Sequence, residues 1–171
     1  MVNRKSVAAL TISLSAFIAI IVSESYTDTA IIPTRNDRPT VGFGSTFKED
    51  GSPVKLGDTT DPVSAIKRTR AHIAKDESGL RKCITAPMSE DEFSILVDFS
   101  YQYGVDTTCR SSMVRHSNTG NYVAACNAYT LYKYSGGYDC STRISGKPNK
   151  RCWGVWERNL ARRDKCLRAG E

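Results

Sequence analysis

An uncharged run, Ser6–Ser23, follows Arg4 and Lys5 and ends against the carboxylate of Glu24. Its 18 residues, wound as one helix, would reach about 27 Å at about 1.5 Å per residue, which is marginal for a bilayer core. Basic residues before the run and a long polar chain after it predict an N-terminus held inside and the remainder exported. Ser6, Thr11, Ser13 and Ser15 dilute the run, so its hold on lipid is weak. Ser23 and Ser25 also form a small-x-small cleavage pattern. Cleavage after Ser25 would discard Glu24, so the fate of the segment and the role of that carboxylate are one question.

Beyond the run, Val41 and Phe43 alternate with Gly42 and Gly44, which predicts a short strand over Thr40–Thr46. The sequence EDGSP, Glu49–Pro53, is a turn signal before VKLGD, and together they predict a small β-hairpin. The pattern then becomes helical. Asp61 can cap a helix that Pro62 opens, with Val63, Ile66, Arg70 and Ile73 at helical spacing. Ser89 and Glu92 form a capping-box pattern before Phe93, Leu96, Val97, Ser100 and Tyr101, the clearest core helix. Tyr122, Ala125, Cys126 and Tyr129 make a shorter face, and Trp153–Leu167 reads as an arginine-rich closing helix. Between them, YSGGYDCSTRISGKPNKRC reads as a long loop-like insertion. The expected class is α+β, mostly helical with a small β-hairpin lobe, preceded by an N-terminal membrane helix. The expected division is 1–23 for the anchor and 24–171 for a single folded domain.

Composition narrows the picture only a little. With 171 residues, 40% hydrophobic and 25% charged, the chain has room for the apolar segment and one globular domain. A net charge of +6 suits an acidic polymer, an anionic lipid face or an anionic cell wall, without choosing among them. Six cysteines, all beyond the apolar run and with no CxxC pair, point to disulfides in an oxidising compartment rather than zinc. His72 and His116 stand apart with no ligand pattern, so neither a metal nor a cofactor is expected.

Acid/base cleavage of a glycosidic bond needs two carboxylates on opposite sides of it, one protonated and one ionised. Glu24 and Asp37 are the candidates, with Thr40 placed to hold a water and Asp28 as an alternative second carboxylate. These elements, Glu24, Asp37 and TVGFG from Thr40 to Gly44, resemble the catalytic front of the phage-type lysozymes, glycoside hydrolase family 24. The resemblance continues through Phe99–Cys126 and Gly146–Cys166, similar to the family's central and closing helices. It is strongest to the signal-anchor-release endolysins of phages and prophages of Gram-negative bacteria. In one respect the chain departs from the family. Twelve residues separate Glu24 from Asp37 and two separate Asp37 from Thr40, and the usual Asp position falls near Pro33 or Thr34.

The resemblance implies hydrolysis of the β-1,4 bond between N-acetylmuramic acid and N-acetylglucosamine in peptidoglycan, leading to host cell lysis. Glu24 would be the acid, a role that partial burial favours, while Asp37 and Thr40 would orient water on the opposite face. Gly42 and Gly44 would let the hairpin backbone approach the sugar. The implied partners are peptidoglycan, the inner membrane before release and a holin, with no nucleic acid, and the chain would act as a monomer. The implied location is the host inner membrane, N-terminus cytoplasmic, and then the periplasm. Helical placement and the resemblance together suggest disulfides Cys109–Cys126, Cys83–Cys166 and Cys140–Cys152. Two other readings stay open: a lytic transglycosylase, which needs one Glu and no Asp base, and a non-catalytic wall-binding protein of the same shape.

Overall fold

The computed structural model describes residues 2–33 and 37–170. It divides into two compact units, one of Ser13–Ser78 and one of Met1–Ile12 with Gly79–Glu171.

The Ser13–Ser78 unit begins with α1, Leu14–Ser23, whose first turn is capped by the Ser13 side chain accepting from the Ala16 N–H. The chain then extends into β1, Thr27–Ile31, which pairs antiparallel with β2, Thr40–Gly42. Thr27 stands opposite Gly42 and Ile31 opposite Thr40, with an irregularity in register between the two pairs. Ala30, Val41 and Val54 form the small core of this lobe. The expected strand over Thr40–Thr46 is therefore half strand and half turn. Val41 and Ser45 exchange backbone hydrogen bonds at 3.0 and 3.1 Å, and Gly42 and Gly44 supply the positive φ values, +68° and +77°, that the reversal needs. The partner of β2 is β1, not the segment after EDGSP. That turn does form, with Phe47 bridged to Pro53.

Asp61 caps the helix α2, Pro62–Leu80, accepting from the N–H groups of Val63 and Ser64 at 2.9 and 3.0 Å. Its buried face carries Ala65, Thr69, Ile73 and Leu80, whereas Val63 and Ile66 are exposed, so the sequence spacing marked the helix but only partly its inner face. Gly42 explains one small residue on that face. A Cβ built on Gly42 would lie 2.8 Å from the Ala65 Cβ. Gly42→Ala is expected to destabilise the protein by about 2–5 kcal/mol in urea denaturation, combining left-handed backbone strain with overpacking. Gly57→Ala, also at positive φ but with open space around it, should lose only the backbone part, about 1–2 kcal/mol.

The second unit is built around α3, Glu90–Tyr103, with the expected capping box between Ser89 and Glu92 in place. Around it stand α4 (Val105–Cys109), α5 (Ser112–Asn118), α6 (Tyr122–Asn127) and α7 (Trp153–Ala169). Phe99 of α3 packs against the rings of Tyr103, Tyr129 and Tyr132. The first residues of the chain belong to this unit. Arg4 donates to both carboxylate oxygens of Glu92 and lies 3.6 Å from the centroid of the Tyr122 ring. Lys5 and Met88 exchange two backbone hydrogen bonds, and Arg81 donates to the carbonyls of Val7 and Leu10.

The run Ser6–Ser23 is thus not one 18-residue helix. It is a 3-10 turn at Val7–Ala9, an extended stretch, and the ten residues of α1. The polar residues interrupt it: Ser6 and Ser13 each turn a side-chain oxygen onto a following backbone N–H, so each starts its own short helix. Among the described residues, no helix is long and apolar enough to cross a membrane.

The insertion between α6 and α7 is also more regular than expected. Tyr134–Ser135 (β3) pairs with Tyr138–Asp139 (β4), and Arg143–Ile144 (β5) pairs with Lys147–Pro148 (β6). Each hairpin closes through two residues of positive φ, Gly136 with Gly137 and Ser145 with Gly146. Cys140 is bonded to Cys152.

The other two disulfides correct the expected pairing. Cys83 joins Cys109, and Cys126 joins Cys166, with Cα separations of 5.7 and 5.3 Å. Neither Cys109–Cys126 nor Cys83–Cys166 is formed. The cause lies in packing: Gly79 near the end of α2 meets Val105 at the start of α4, so closely that a Cβ on Gly79 would sit 2.6 Å from the valine methyl. That contact brings Cys83 beside Cys109, while α6 and α7 pack together and bring Cys126 beside Cys166.

Candidate active site

Glu24 lies where α1 becomes β1. The Glu24 N–H donates to the Ile20 carbonyl at 3.1 Å, closing the last turn of α1, while its own backbone is already extended. Ile20 is 1% exposed, so the helix end that carries Glu24 is anchored by a fully buried side chain. The Glu24 side chain is half-buried and reaches the glycine turn. A Cβ on Gly44 would stand 3.4 Å from the Glu24 Oε2. Glycine at 44 therefore both makes the turn and leaves the carboxylate uncrowded. The room at Gly42, by contrast, is filled by Ala65, and Gly42 is buried while Gly44 is exposed.

Thr40 opens β2, half-buried and opposite Ile31. Asp37, three residues earlier, is exposed, and its Oδ1 accepts from the Arg38 N–H at 3.1 Å. Asp28 lies in β1, exposed, with its carboxylate accepting from the Thr29 hydroxyl at 3.1 Å and its carbonyl from the Thr60 N–H. Pro33 precedes and Thr34 falls outside the described residues.

Sequence reasoning overlooked Tyr26. Its ring meets that of Phe43, centroids 5.3 Å apart, and its hydroxyl donates to the Thr60 carbonyl, so an aromatic pair ties β1 to the glycine turn next to Glu24. The signal was present as the β-branched alternation Thr27, Thr29, Ile31, which marks the strand that Tyr26 precedes.

Chemically, the unit presents a half-buried carboxylate at a helix end, a turn glycine without a side chain beside it, a strand hydroxyl and a second, exposed carboxylate on the approach to that strand. The phage lysozyme family model matches residues 21–151, which include all of these. The chain belongs to the phage lysozyme family. An endolysin of Salmonella phage P22 is 26% identical over 98 residues, covering 57% of this chain and 67% of that protein. An endolysin from Escherichia coli O157:H7 phage FAHEc1 superposes with a TM-score of 0.76 at 24% identity, covering 96% of each chain. A P22 lysozyme variant gives 0.72 at 22% identity, over 92% of this chain and 98% of that one. Within this phage lysozyme family member the fold is lysozyme-like, mostly helical with small antiparallel hairpins.

Two arginines of α7 are engaged in ion pairs within the fold. Arg158 is paired with Asp98 at 2.9 Å and Arg163 with Asp164 at 2.7 Å, whereas Arg110 is exposed.

Proposed function

We propose that this protein is an endolysin that hydrolyses the β-1,4 bond between N-acetylmuramic acid and N-acetylglucosamine in peptidoglycan, with Glu24 as general acid. The observation that carries the reading is the placement of the Glu24 carboxylate against Gly44, at the junction of a helix end and the glycine turn. Glu24 gives its proton to the departing N-acetylglucosamine oxygen as the bond to the muramic acid anomeric carbon breaks. Asp37, with Thr40 orienting the water, takes a proton from that water as it attacks the same carbon from the opposite face. The exposed backbone at Gly44 gives the sugar close approach.

Catalysis of this kind requires that Ser6–Ser23 be kept, because removal up to Ser25 takes Glu24 with it. On α1, Leu14, Ile18 and Val22 are 74%, 50% and 78% exposed, a stripe of aliphatic side chains at helical spacing. That stripe supports a segment that first resides in the inner membrane and afterwards supplies α1 and Glu24 in the periplasm. While the segment lies in lipid, the helix end that holds Glu24 is not assembled, and the enzyme is latent.

One experiment tests both parts. Soluble protein recovered from the periplasm is weighed intact, then given purified peptidoglycan, and the products are analysed by mass. An intact N-terminus and products with hydrated muramic acid reducing ends are expected, with Asp37→Asn slowing their release by about a hundredfold or more. Products with 1,6-anhydro ends, formed at equal rate by Asp37→Asn, would instead establish a transglycosylase. A mass beginning after Ser25 would end both the release reading and the role of Glu24.

A further inference from the structure

The double hairpin between α6 and α7 is strongly cationic. From Lys133 to Cys152 it carries Lys133, Arg143, Lys147, Lys150 and Arg151 against one acid, Asp139. Asp139 is taken up locally: Lys133 pairs with it at 2.7 Å, the Ser141 hydroxyl donates to it, and these two hold its pKa down at about 2. The other four cations are exposed, and none has a carboxylate partner among the described residues.

The same twenty residues display aromatic and apolar side chains that the core does not use. Tyr134, Tyr138 and Ile144 are 61%, 48% and 64% exposed. The cations and the rings are interleaved rather than segregated. The Arg151 guanidinium lies 4.2 Å from the Tyr138 ring centroid and that of Arg143 lies 5.2 Å from the Trp153 ring.

The scaffold beneath is rigid. Cys140, fully buried, is bonded to Cys152, and its N–H donates to the Lys133 carbonyl at 2.7 Å. The Asn149 side chain, also buried, donates to the Asp139 carbonyl and to the Thr142 hydroxyl and accepts from the Arg151 N–H. Two tight hairpins, a disulfide and a buried asparagine are much covalent and hydrogen-bonding order for a segment with hardly any core of its own. Fixed tyrosines with two rotatable side-chain angles lose little entropy on contact.

We propose that this stapled double hairpin is a peptidoglycan-holding surface, its tyrosine faces stacking on sugar rings and Arg143, Lys147, Lys150 and Arg151 pairing with the carboxylates of the acidic stem peptides. The inference rests on peptidoglycan as the substrate of the site around Glu24. Charge complementarity selects the occupant: a glycan with acidic peptides offers ring faces and carboxylates at alternating positions, matching rings and cations that alternate here. A lipid surface suits the hairpins less well, because Ile144 is the one exposed aliphatic side chain among them and gives little to bury in a bilayer. In this surface the enzyme has a hold on an insoluble polymer that is independent of the groups that cleave it.

The test separates binding from cleavage. Full-length Glu24→Gln protein with its disulfides intact is co-sedimented with purified sacculi over a range of NaCl concentrations, alongside Lys147→Glu/Lys150→Glu and Tyr138→Ala in the same background. Both lysines are exposed and no hairpin contact depends on them, so the charge-reversed variant folds even if Tyr138→Ala loosens β4. Each variant is expected to bind sacculi about tenfold more weakly at low salt. With Glu24 restored, each should also clear sacculi more slowly than the unaltered protein at low salt. Unchanged sacculus binding by both variants overturns the proposal. So does a larger loss on vesicles of anionic phosphatidylglycerol than on sacculi, which would assign the surface to lipid. If the unaltered protein leaves sacculi uncleaved while its binding to them still depends on the hairpins, the proposed activity falls and the surface stands.

Discussion

Glu24→Gln is expected to lower kcat/KM on purified peptidoglycan by about a hundred- to ten-thousandfold, the loss that follows from removing a general acid. The substitution is close to isosteric and keeps the half-buried side chain beside Gly44, but an amide N–H is far too weak an acid to protonate the departing sugar oxygen. The backbone N–H of residue 24 still closes α1 on the Ile20 carbonyl, so the thermal midpoint should stay near that of the unaltered protein. Rate loss without stability loss is the result expected, read from turbidity clearing and a melting curve on the same preparation. An equal fall in both would place Glu24 among the residues that hold α1 to the hairpin rather than among those that cleave. Glu24→Asp provides a graded check: it retains the proton but withdraws it by about one methylene, so partial activity is expected if reach matters.

The largest effect on stability is expected at Arg162. Its guanidinium, 3% exposed, donates to the Asp98 carboxylate at 2.6 Å, to Gln102 at 2.9 Å and to Asn159 at 2.7 Å, joining α3 to α7. Arg162→Leu removes every one of these donors, leaving the half-buried Asp98 carboxylate to Arg158 and the fully buried Asn159 oxygen without its Arg162 donor, at a cost of about 3–5 kcal/mol in urea denaturation. The pH dependence carries a sign. Burial by itself would raise the Asp98 pKa, but the charges and hydrogen bonds of Arg162 and Arg158 outweigh it and hold the carboxyl below its ordinary value. A lowered native pKa means the pair stabilises fully above the unfolded value, near pH 4, and loses that contribution as pH falls through the native one. The gap between the unaltered protein and Arg162→Leu should therefore be widest at neutral pH and narrow below about pH 4. A gap independent of pH would show that Arg162 acts through packing alone.

Some of this architecture was legible before any coordinates. The Ser89/Glu92 box marked α3 because both halves of the cap lie three residues apart in the chain, and Asp61 with Pro62 marked α2 for the same reason. Glu24 stood out because an uncharged run ends on it. What escaped was set by partners distant in sequence. β1 was missed because its one buried residue, Ala30, is small, so the β-branched alternation of Thr27, Thr29 and Ile31 has no apolar inner face to reinforce it. The two hairpins within the insertion were written as Gly136-Gly137 and Ser145-Gly146, turn dipeptides that a search for helical periodicity passes over. On α2, Val63 and Ile66 are more apolar than Thr69, yet they face solvent, because the face was chosen by what Ala65 and Gly42 allow to approach.

The sequence by itself determined the lysozyme family, the mostly helical class with small hairpins, the caps that begin α2 and α3, and the presence of disulfides. These depend on neighbours within a few residues, or on a motif whose members are contiguous, so local chemistry suffices to specify them. Only the tertiary structure decided that Cys83 meets Cys109 and Cys126 meets Cys166, since a pairing is a distance and distance is set by packing such as that of Gly79 on Val105. It also gave the apolar run its folded form. Hydropathy alone suits that run to lipid, but Arg4 on Glu92, Arg81 on the carbonyls of Val7 and Leu10, and the serine caps satisfy its polar groups in a broken, folded form. A side chain's apolar character is its own, whereas the partner that satisfies a backbone carbonyl or a guanidinium is supplied by residues far along the chain.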